Sequence, residues 1–431
     1  MKNATGNPML RVFSIRNFCL LWFGSSISIL GSQFSLIALP WLVLQLTGDP
    51  LALGIVLALG GIPRALFMLV GGAIVDRFSP RITLLICDWV NFVMTGLIAA
   101  LVFTGFMQVW MIYIFSLITG LVSGFVIPAS NSIVPFLVAE EDLQAGNSIS
   151  AGSSQLAQLI GPALAGIIIG AYSQSTFGIV IAFLLDSLTF VVSAVALMMM
   201  HTGHKQISDA AKPRETIWAS IRLAFAYLWE HTGLKFMFIV MALANFLFVG
   251  PLLVGIPVLA DQRLPEGARA FGFLMSAYAG GNLAGFILGG VLPKPSGRGL
   301  SIFVVSLLAA FGVVLVNLGW ITLTWVDFLL ILALGIGNGY ISLIIFTWMQ
   351  QRTPREMLGR IMSIVMLASM GLVPLSQAIS GAIIRWSLSG LFAISGGLML
   401  LAACWAALQP ALRLLSSEMV DNKELQKQNT A

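Results

Sequence analysis

Twelve long apolar runs divide the sequence, and they constrain its fold more than any motif does. They cover Phe18 to Leu44, Leu51 to Val75, Ile82 to Phe103, Met107 to Ala129, Asn147 to Ala171 and Phe177 to Met200, then Phe236 to Leu259, Ala270 to Leu292, Leu300 to Leu318, Val326 to Met349, Ile361 to Ile384 and Leu388 to Leu408. At about 1.5 Å of helical rise per residue, each run is long enough for a hydrocarbon layer roughly 30 Å thick, some with tilt. The runs lack the strict alternation of polar and apolar residues that a barrel strand needs, so helices are the spanning element. Composition agrees: the chain is 58% hydrophobic and 9% charged, against about a quarter charged in soluble domains. An all-α polytopic membrane protein is predicted.

The basic residues then orient the chain. Of 22 Lys and Arg, 18 fall before the first run, after the even-numbered runs or in the tail. Arg263, Arg269 and Arg385 fall on the opposite side, and Arg64 lies inside the second run. Positive charge is retained on the cytoplasmic face, so both termini are predicted to be cytoplasmic. The net charge of +5 therefore reports topology and implies no nucleic-acid partner. The basic start leads into an uncharged stretch, Asn17 to Gly48, without a small-residue cleavage site, and reads as a retained first span. Trp41, Trp110, Trp320, Trp325 and Trp386 near one boundary, and Trp348 and Trp405 near the other, fit an aromatic belt contacting the lipid bilayer.

The longest interior connection separates six runs from six. The predicted domains are residues 1–200, an N-terminal six-helix bundle; 201–235, a cytoplasmic linker; 236–410, a C-terminal six-helix bundle; and 411–431, a tail. Within the linker, Pro213 can precede a helix reaching Glu230, with Ile217, Ile221, Ala224, Phe225 and Leu228 recurring at helical steps. That stripe predicts an amphipathic helix at the membrane face, serving as a tether or a partner surface. The halves also match each other. Gly54 and Gly72 share their 18-residue spacing with Gly272 and Gly290, and Gly124 and Gly146 share a 22-residue spacing with Gly337 and Gly359. In the first match Arg64 corresponds to Asn282 and Asp76 to Lys294. Duplicated halves suit a path that opens alternately to either side.

Catalytic signatures are missing from the sequence: there is no phosphate-binding loop, HExxH or nucleophile elbow. Cys19, Cys87 and Cys404 have no metal spacing, and His201, His204 and His231 are irregularly placed. No cofactor or metal is predicted. The chemistry-bearing residues are intramembrane charges: Arg64 near the middle of the second run, Asp88 about 9 Å into the third and Asp186 about 15 Å into the sixth. An unpaired charge at such depth costs about 3 kcal/mol, which favours a partner or a polar cavity over lipid exposure. Arg64 could bind an anionic part of a substrate or pair with Asp88 or Asp186. Gln33, Asn245, Asn282 and Gln377 are candidates for sparse polar contacts in an otherwise apolar cavity. Phe34, Trp41, Phe67, Met68, Phe246, Phe248, Phe273, Met275 and Met366 are candidates for its lining.

The stretch Gly72-Ala73-Ile74-Val75-Asp76-Arg77-Phe78-Ser79-Pro80-Arg81 resembles the G-x-L-A-D-R-x-G-R-R turn between helices two and three of the major facilitator superfamily. Ser79 stands at the turn's later Gly and Pro80 at the Arg that follows. Pro354 to Arg360 resembles the corresponding entrance to helix eleven. The resemblance implies twelve helices in two pseudo-symmetric six-helix bundles. It also implies a gate at Gly72, Asp76, Arg77 and Arg81 with Gly359 and Arg360. Phe125 to Gly166 is similar to the helix four and five region of bacterial drug, macrolide and siderophore exporters, and Gly161, Pro162 and Gly166 are similar to the Gly-Pro motif of antiporters. This resemblance implies export of a small amphiphilic or hydrophobic compound by alternating access, with the proton as coupling ion, by a functional monomer in a bacterial plasma or inner membrane. A siderophore or lipid cargo, and a non-transporting scaffold or receptor-like role, remain the alternatives.

Overall fold

The computed structural model describes residues 8–77, 79–200, 217–292, 298–353 and 355–409. Fifteen α-helices account for nearly all of them: α1 (Pro8–Phe13), α2 (Arg16–Thr47), α3 (Pro50–Arg77), α4 (Pro80–Phe103), α5 (Val109–Leu137), α6 (Leu143–Ala171), α7 (Phe177–Met199), α8 (Ile217–Glu230), α9 (Thr232–Ala244), α10 (Gly250–Gln262), α11 (Ala268–Val291), α12 (Arg298–Leu318), α13 (Thr324–Arg352), α14 (Arg355–Ile384) and α15 (Leu388–Leu408). Among the described residues, twelve helices are long and apolar enough to cross a membrane, with α9 and α10 forming one span. Helices satisfy their own backbone polar groups, which is why an apolar run in lipid adopts this form.

The chain separates into two compact units. One comprises Met1–Ser208 with Ile256–Ser276, the other Asp209–Gly255 with Ala277–Ala431. In the first, α7 packs between α2 and α4, α3 packs on α5, and α6 packs on α2 and α7. Lipid provides no hydrophobic drive between helices, so small residues set these contacts. At the α3–α5 crossing, a Cβ on Gly120 would stand 2.8 Å from the Gly60 carbonyl carbon. Phe18, Leu21, Leu84, Val134, Leu197 and Met200 form a buried cluster with Val12 of α1. Arg11 holds the same short helix through a 2.6 Å ion pair with Asp142.

The second unit repeats these pairings. Its α12 packs on α15 as α4 packs on α7, and α11 crosses α13 as α3 crosses α5, with a Cβ on Gly281 placed 3.0 Å from the Gly335 Cα. The matched pair Arg64 and Asn282 also occupies matched surroundings. The Arg64 carbonyl lies against Gly124, and the Asn282 backbone lies against Gly335 and Gly339. The fold is thus all-α, with twelve spans and duplicated helix contacts.

One span departs from the sequence reading. The seventh contains a π-helical turn, Asn245–Val249, between α9 and α10. A π turn loosens the carbonyl ladder, and Ser376 of α14 donates its hydroxyl to the Phe246 carbonyl there. In the linker, α8 begins at Ile217, and residues 201–216, including Pro213, lie outside the described residues. Leu228 is buried, whereas Leu223, Phe225 and Trp229 remain exposed. Phe225 and Trp229 stack at 4.9 Å, and the Lys235 ammonium sits over the Trp229 ring.

Of the tryptophans read as boundary residues, Trp110, Trp320, Trp325 and Trp386 are exposed. Two tryptophans differ. Trp348 is buried, and Trp41 packs against Gly267.

Candidate functional site

Several polar contacts of the first unit are made by α2. Between Cys19 and its C-terminus this helix carries no ionisable residue, yet it makes polar contacts on several sides. Gln33 lies against Gly161 of α6, where a Cβ would stand 2.5 Å from the Gln33 Cβ. Ser35 donates its hydroxyl to Asp186 of α7. Gln45 donates to Asp261 at 3.3 Å. Gly48 then ends the helix in the left-handed conformation, φ 60°, which glycine adopts without a Cβ penalty.

The Gly-Pro segment of α6 faces the start of α11. Pro162 has no N–H and its ring displaces the preceding turn's carbonyl, which opens the helical ladder. The next amide, Ala163 N–H, donates to the Ser276 hydroxyl at 2.9 Å. One turn further, a Cβ on Gly166 would stand 2.7 Å from the Ala268 carbonyl oxygen and 2.9 Å from the Gly272 Cα. Gly170 in turn accommodates the Arg269 side chain. Pro162 and Gly166 therefore sit at a close crossing with α11 that a backbone-to-hydroxyl hydrogen bond spans, and Gly161 packs against α2.

The intramembrane charges are not brought into one ionic site. Asp186 is 1% exposed; its second oxygen, Oδ1, has no hydrogen-bond partner. Asp88 of α4 is buried and takes its hydrogen bond from Ser193 of α7, leaving Oδ2 without one. Among the described residues neither acid is ion-paired with Arg64, whose side chain is exposed at mid-helix in α3. Each acid instead takes a hydroxyl from a neighbouring helix, Asp186 from Ser35 of α2 and Asp88 from Ser193 of α7. Ser187 of α7 donates to the Phe92 carbonyl at 3.0 Å.

Asn245 lies in the π turn and donates to the Met241 carbonyl at 2.9 Å. Asn282 presents its side-chain oxygen beside Gly339, and that oxygen has no hydrogen-bond partner. Several residues read as cavity lining are packed inside: Phe34, Phe248, Met275 and Gln377 are buried, while Phe273 and Met366 are exposed. Phe248 stacks on Phe311 at 4.9 Å, so its ring serves packing.

Of the gate residues, Gly72, Asp76 and Arg77 fall on the last turns of α3, and Gly359 and Arg360 on the first turns of α14. Their side chains lie outside the described residues. Arg81 is described: its Nε donates to the Leu197 carbonyl at 2.7 Å and its guanidinium also reaches the Met198 carbonyl at 3.0 Å. These are terminal carbonyls of α7, where a cation complements the helix dipole. Ser79, at the glycine position of the turn, has φ 39°.

Sequence reasoning passed over three polar residues that the fold buries. Asp142 was available as one of three acids in the Glu140–Asp142 turn, on a side otherwise rich in Lys and Arg. Asp327, fully buried in the first turn of α13, looks like an ordinary loop acid beside Trp325. Ser376 carries no signal of its own, because its partner exists only through the π turn. Among the described residues no group of three or more His, Cys, Asp or Glu could hold a metal.

Comparison with known proteins places this geometry. The chain is 22% identical to macrolide efflux protein A of Streptococcus pyogenes over 80% of this chain and 84% of the relative. It is 24% identical to the staphyloferrin A transporter of Staphylococcus aureus over 83% of this chain and 87% of the relative. The crystal structure of the nucleoside transporter NupG has the same fold, with a TM-score of 0.68 at 16% identity, covering 90% of this chain and 98% of that one. The family model described as the Major Facilitator Superfamily matches residues 21–376. The chain belongs to the Major Facilitator Superfamily, and is a multi-pass membrane transporter of small molecules rather than an enzyme.

Proposed function

We propose that this protein exports small amphiphilic or hydrophobic compounds in exchange for protons, by alternating access, as a functional monomer. The observation carrying this reading is the α6–α11 crossing. There the Gly-Pro segment similar to that of antiporters meets Gly272 at backbone distance, and its Ala163 amide donates to Ser276. Such a crossing can pivot with little steric cost, because no side chain stands between Gly166 and Gly272. The relatedness to a macrolide efflux protein supports the direction of transport. The charge asymmetry supports cytoplasmic termini in a bacterial plasma or inner membrane. Gly72, Asp76, Arg77, Arg81, Gly359 and Arg360 act in this reading as the cytoplasmic gate. Asp76→Asn, at matched insertion, changes accessibility on both membrane faces.

Purified protein in liposomes under an imposed pH gradient tests the proposal with a macrolide, ethidium, a carboxylate siderophore and a fluorescent lipid. Gradient-dependent movement of the macrolide or ethidium supports it. Absence of movement for all four favours a non-transporting role. A second reading, export of an anionic siderophore, draws on exposed Arg64 at mid-span in α3 and on the staphyloferrin A transporter among the relatives. In that case only the siderophore moves.

A further inference from the structure

Asp186 is the most thoroughly buried intramembrane acid candidate in the first unit, and its seat is unusual. One oxygen receives the Ser35 hydroxyl, and the other receives nothing. A fixed carboxylate in an apolar interior calls for several donors or a cation, whereas a carboxylic acid needs only one or two partners. The elements packed against α7 are α2, α4 and α6. Their titratable groups are Arg16 and Cys19 on α2 and Arg81, Cys87 and Asp88 on α4; α6 has none. Cys19 and Cys87 donate to the Phe13 and Val122 carbonyls, and Arg81 caps the end of α7. Asp88 bonds to Ser193, seven residues and roughly 10 Å along α7 from Asp186.

We infer that Asp186, seated on Ser35, is the proton-binding site that couples the gradient to transport, and that α2 carries its charge state to the Ile256–Ser276 hairpin. The inference rests on the proton-driven export proposed above. The proton adds to a carboxylate oxygen of Asp186 and leaves from it to water, and no other bond changes. Both charge states act on the same helix contact. Gly31 of α2, one turn from Ser35, lies against Thr189, where a Cβ would come within 2.8 Å of the Thr189 Cβ. Thr189 in turn donates to the Asp186 carbonyl. A bare carboxylate draws water or further donors between α2 and α7, while the acid permits the close packing of Gly31 on Thr189. Since α2 is continuous from Arg16 to Thr47, a tilt at Ser35 reaches Trp41, roughly 9 Å away, and Gln45, roughly 15 Å away. Those residues hold the hairpin through Gly267 and Asp261.

The test uses the full chain in liposomes, with Cys19, Cys87 and Cys404 replaced by Ser and Ala268→Cys added. Ala268 is buried in the hairpin with its carbonyl against Gly166. A membrane-impermeant maleimide probes it across a pH range spanning neutrality, and the readout is the labelling rate relative to that of a free thiol at the same pH, so that thiolate ionisation cancels. With Asp186 present, the labelling rate changes about fivefold or more. Asp186→Asn fixes the rate at its low-pH value, Ser35→Ala shifts the midpoint, and Asp88→Asn leaves the profile unchanged. A flat profile in the Asp186 protein, or an unaltered one in Asp186→Asn, overturns the site. If Asp186→Asn does not fold, an unshifted midpoint in Ser35→Ala overturns it instead. Ethidium export measured in parallel separates the two proposals. Proton-driven export retained in Asp186→Asn overturns the site alone, whereas its absence when Asp186 is present overturns the export reading.

Discussion

Gly166 of α6 and Gly272 of α11 cross so closely that a Cβ on either would stand 2.9 Å from the Cα of the other. Gly272→Val must therefore separate the helices, at about 1–3 kcal/mol of overpacking. The expected result is a transport rate lowered about tenfold or more at unchanged insertion. Gly152→Val serves as the control, because α6 has open space at Gly152. Transport assays in vesicles, normalised to inserted protein, check both substitutions.

Ser79 occupies the glycine position of the α3–α4 turn with φ 39°, a region that costs a residue with a Cβ about 1 kcal/mol or more. Ser79→Gly relieves that strain. Thermal unfolding in detergent should show stabilisation of about 1 kcal/mol, with the transport rate unchanged.

These two cases show which levels of structure the sequence displayed. The spans were legible because a bilayer imposes length and apolarity on each one separately. The Gly-Pro segment was legible as a motif, since Pro162 and its flanking glycines stand out in an apolar run. Its partners, Gly272 and Ser276, were not, because a helix crossing depends on rotation about both axes. The π turn at Asn245–Val249 was equally silent: its residues read as an uninterrupted apolar helix. For Asp88 and Asp186, depth could be counted from the span ends. Their serine partners could not, because hydroxyl pairs on neighbouring helices leave no charge pattern.

Arg11 and Asp142 anchor α1 through a pair in which the acid is buried and the guanidinium is partly exposed. Removing one partner should cost about 1–2 kcal/mol, since the exposed side of the pair is screened. A double-mutant cycle of Arg11→Ala and Asp142→Asn, followed by thermal unfolding, should give a clearly non-additive coupling. Additive losses would mean that the buried cluster around Val12 holds α1 without the ion pair.

Arg64 separates the two cargo readings. Arg64→Gln removes an intramembrane charge worth about 3 kcal/mol on insertion, so the variant should insert at least as well as the parent. Under the siderophore reading it should bind a carboxylate siderophore about tenfold more weakly, the loss of one charge-assisted contact. Under the amphiphile reading its binding of ethidium should be unchanged. Equilibrium binding to purified protein measures both.

Proton exchange is the central claim, and the direct measurement is luminal pH in liposomes that start without a pH gradient. A gradient of transported substrate directed into the lumen should drive protons out in exchange and make the lumen alkaline. Luminal acidification would show symport, and an unchanged pH during substrate entry would show uncoupled transport. Either result contradicts the account.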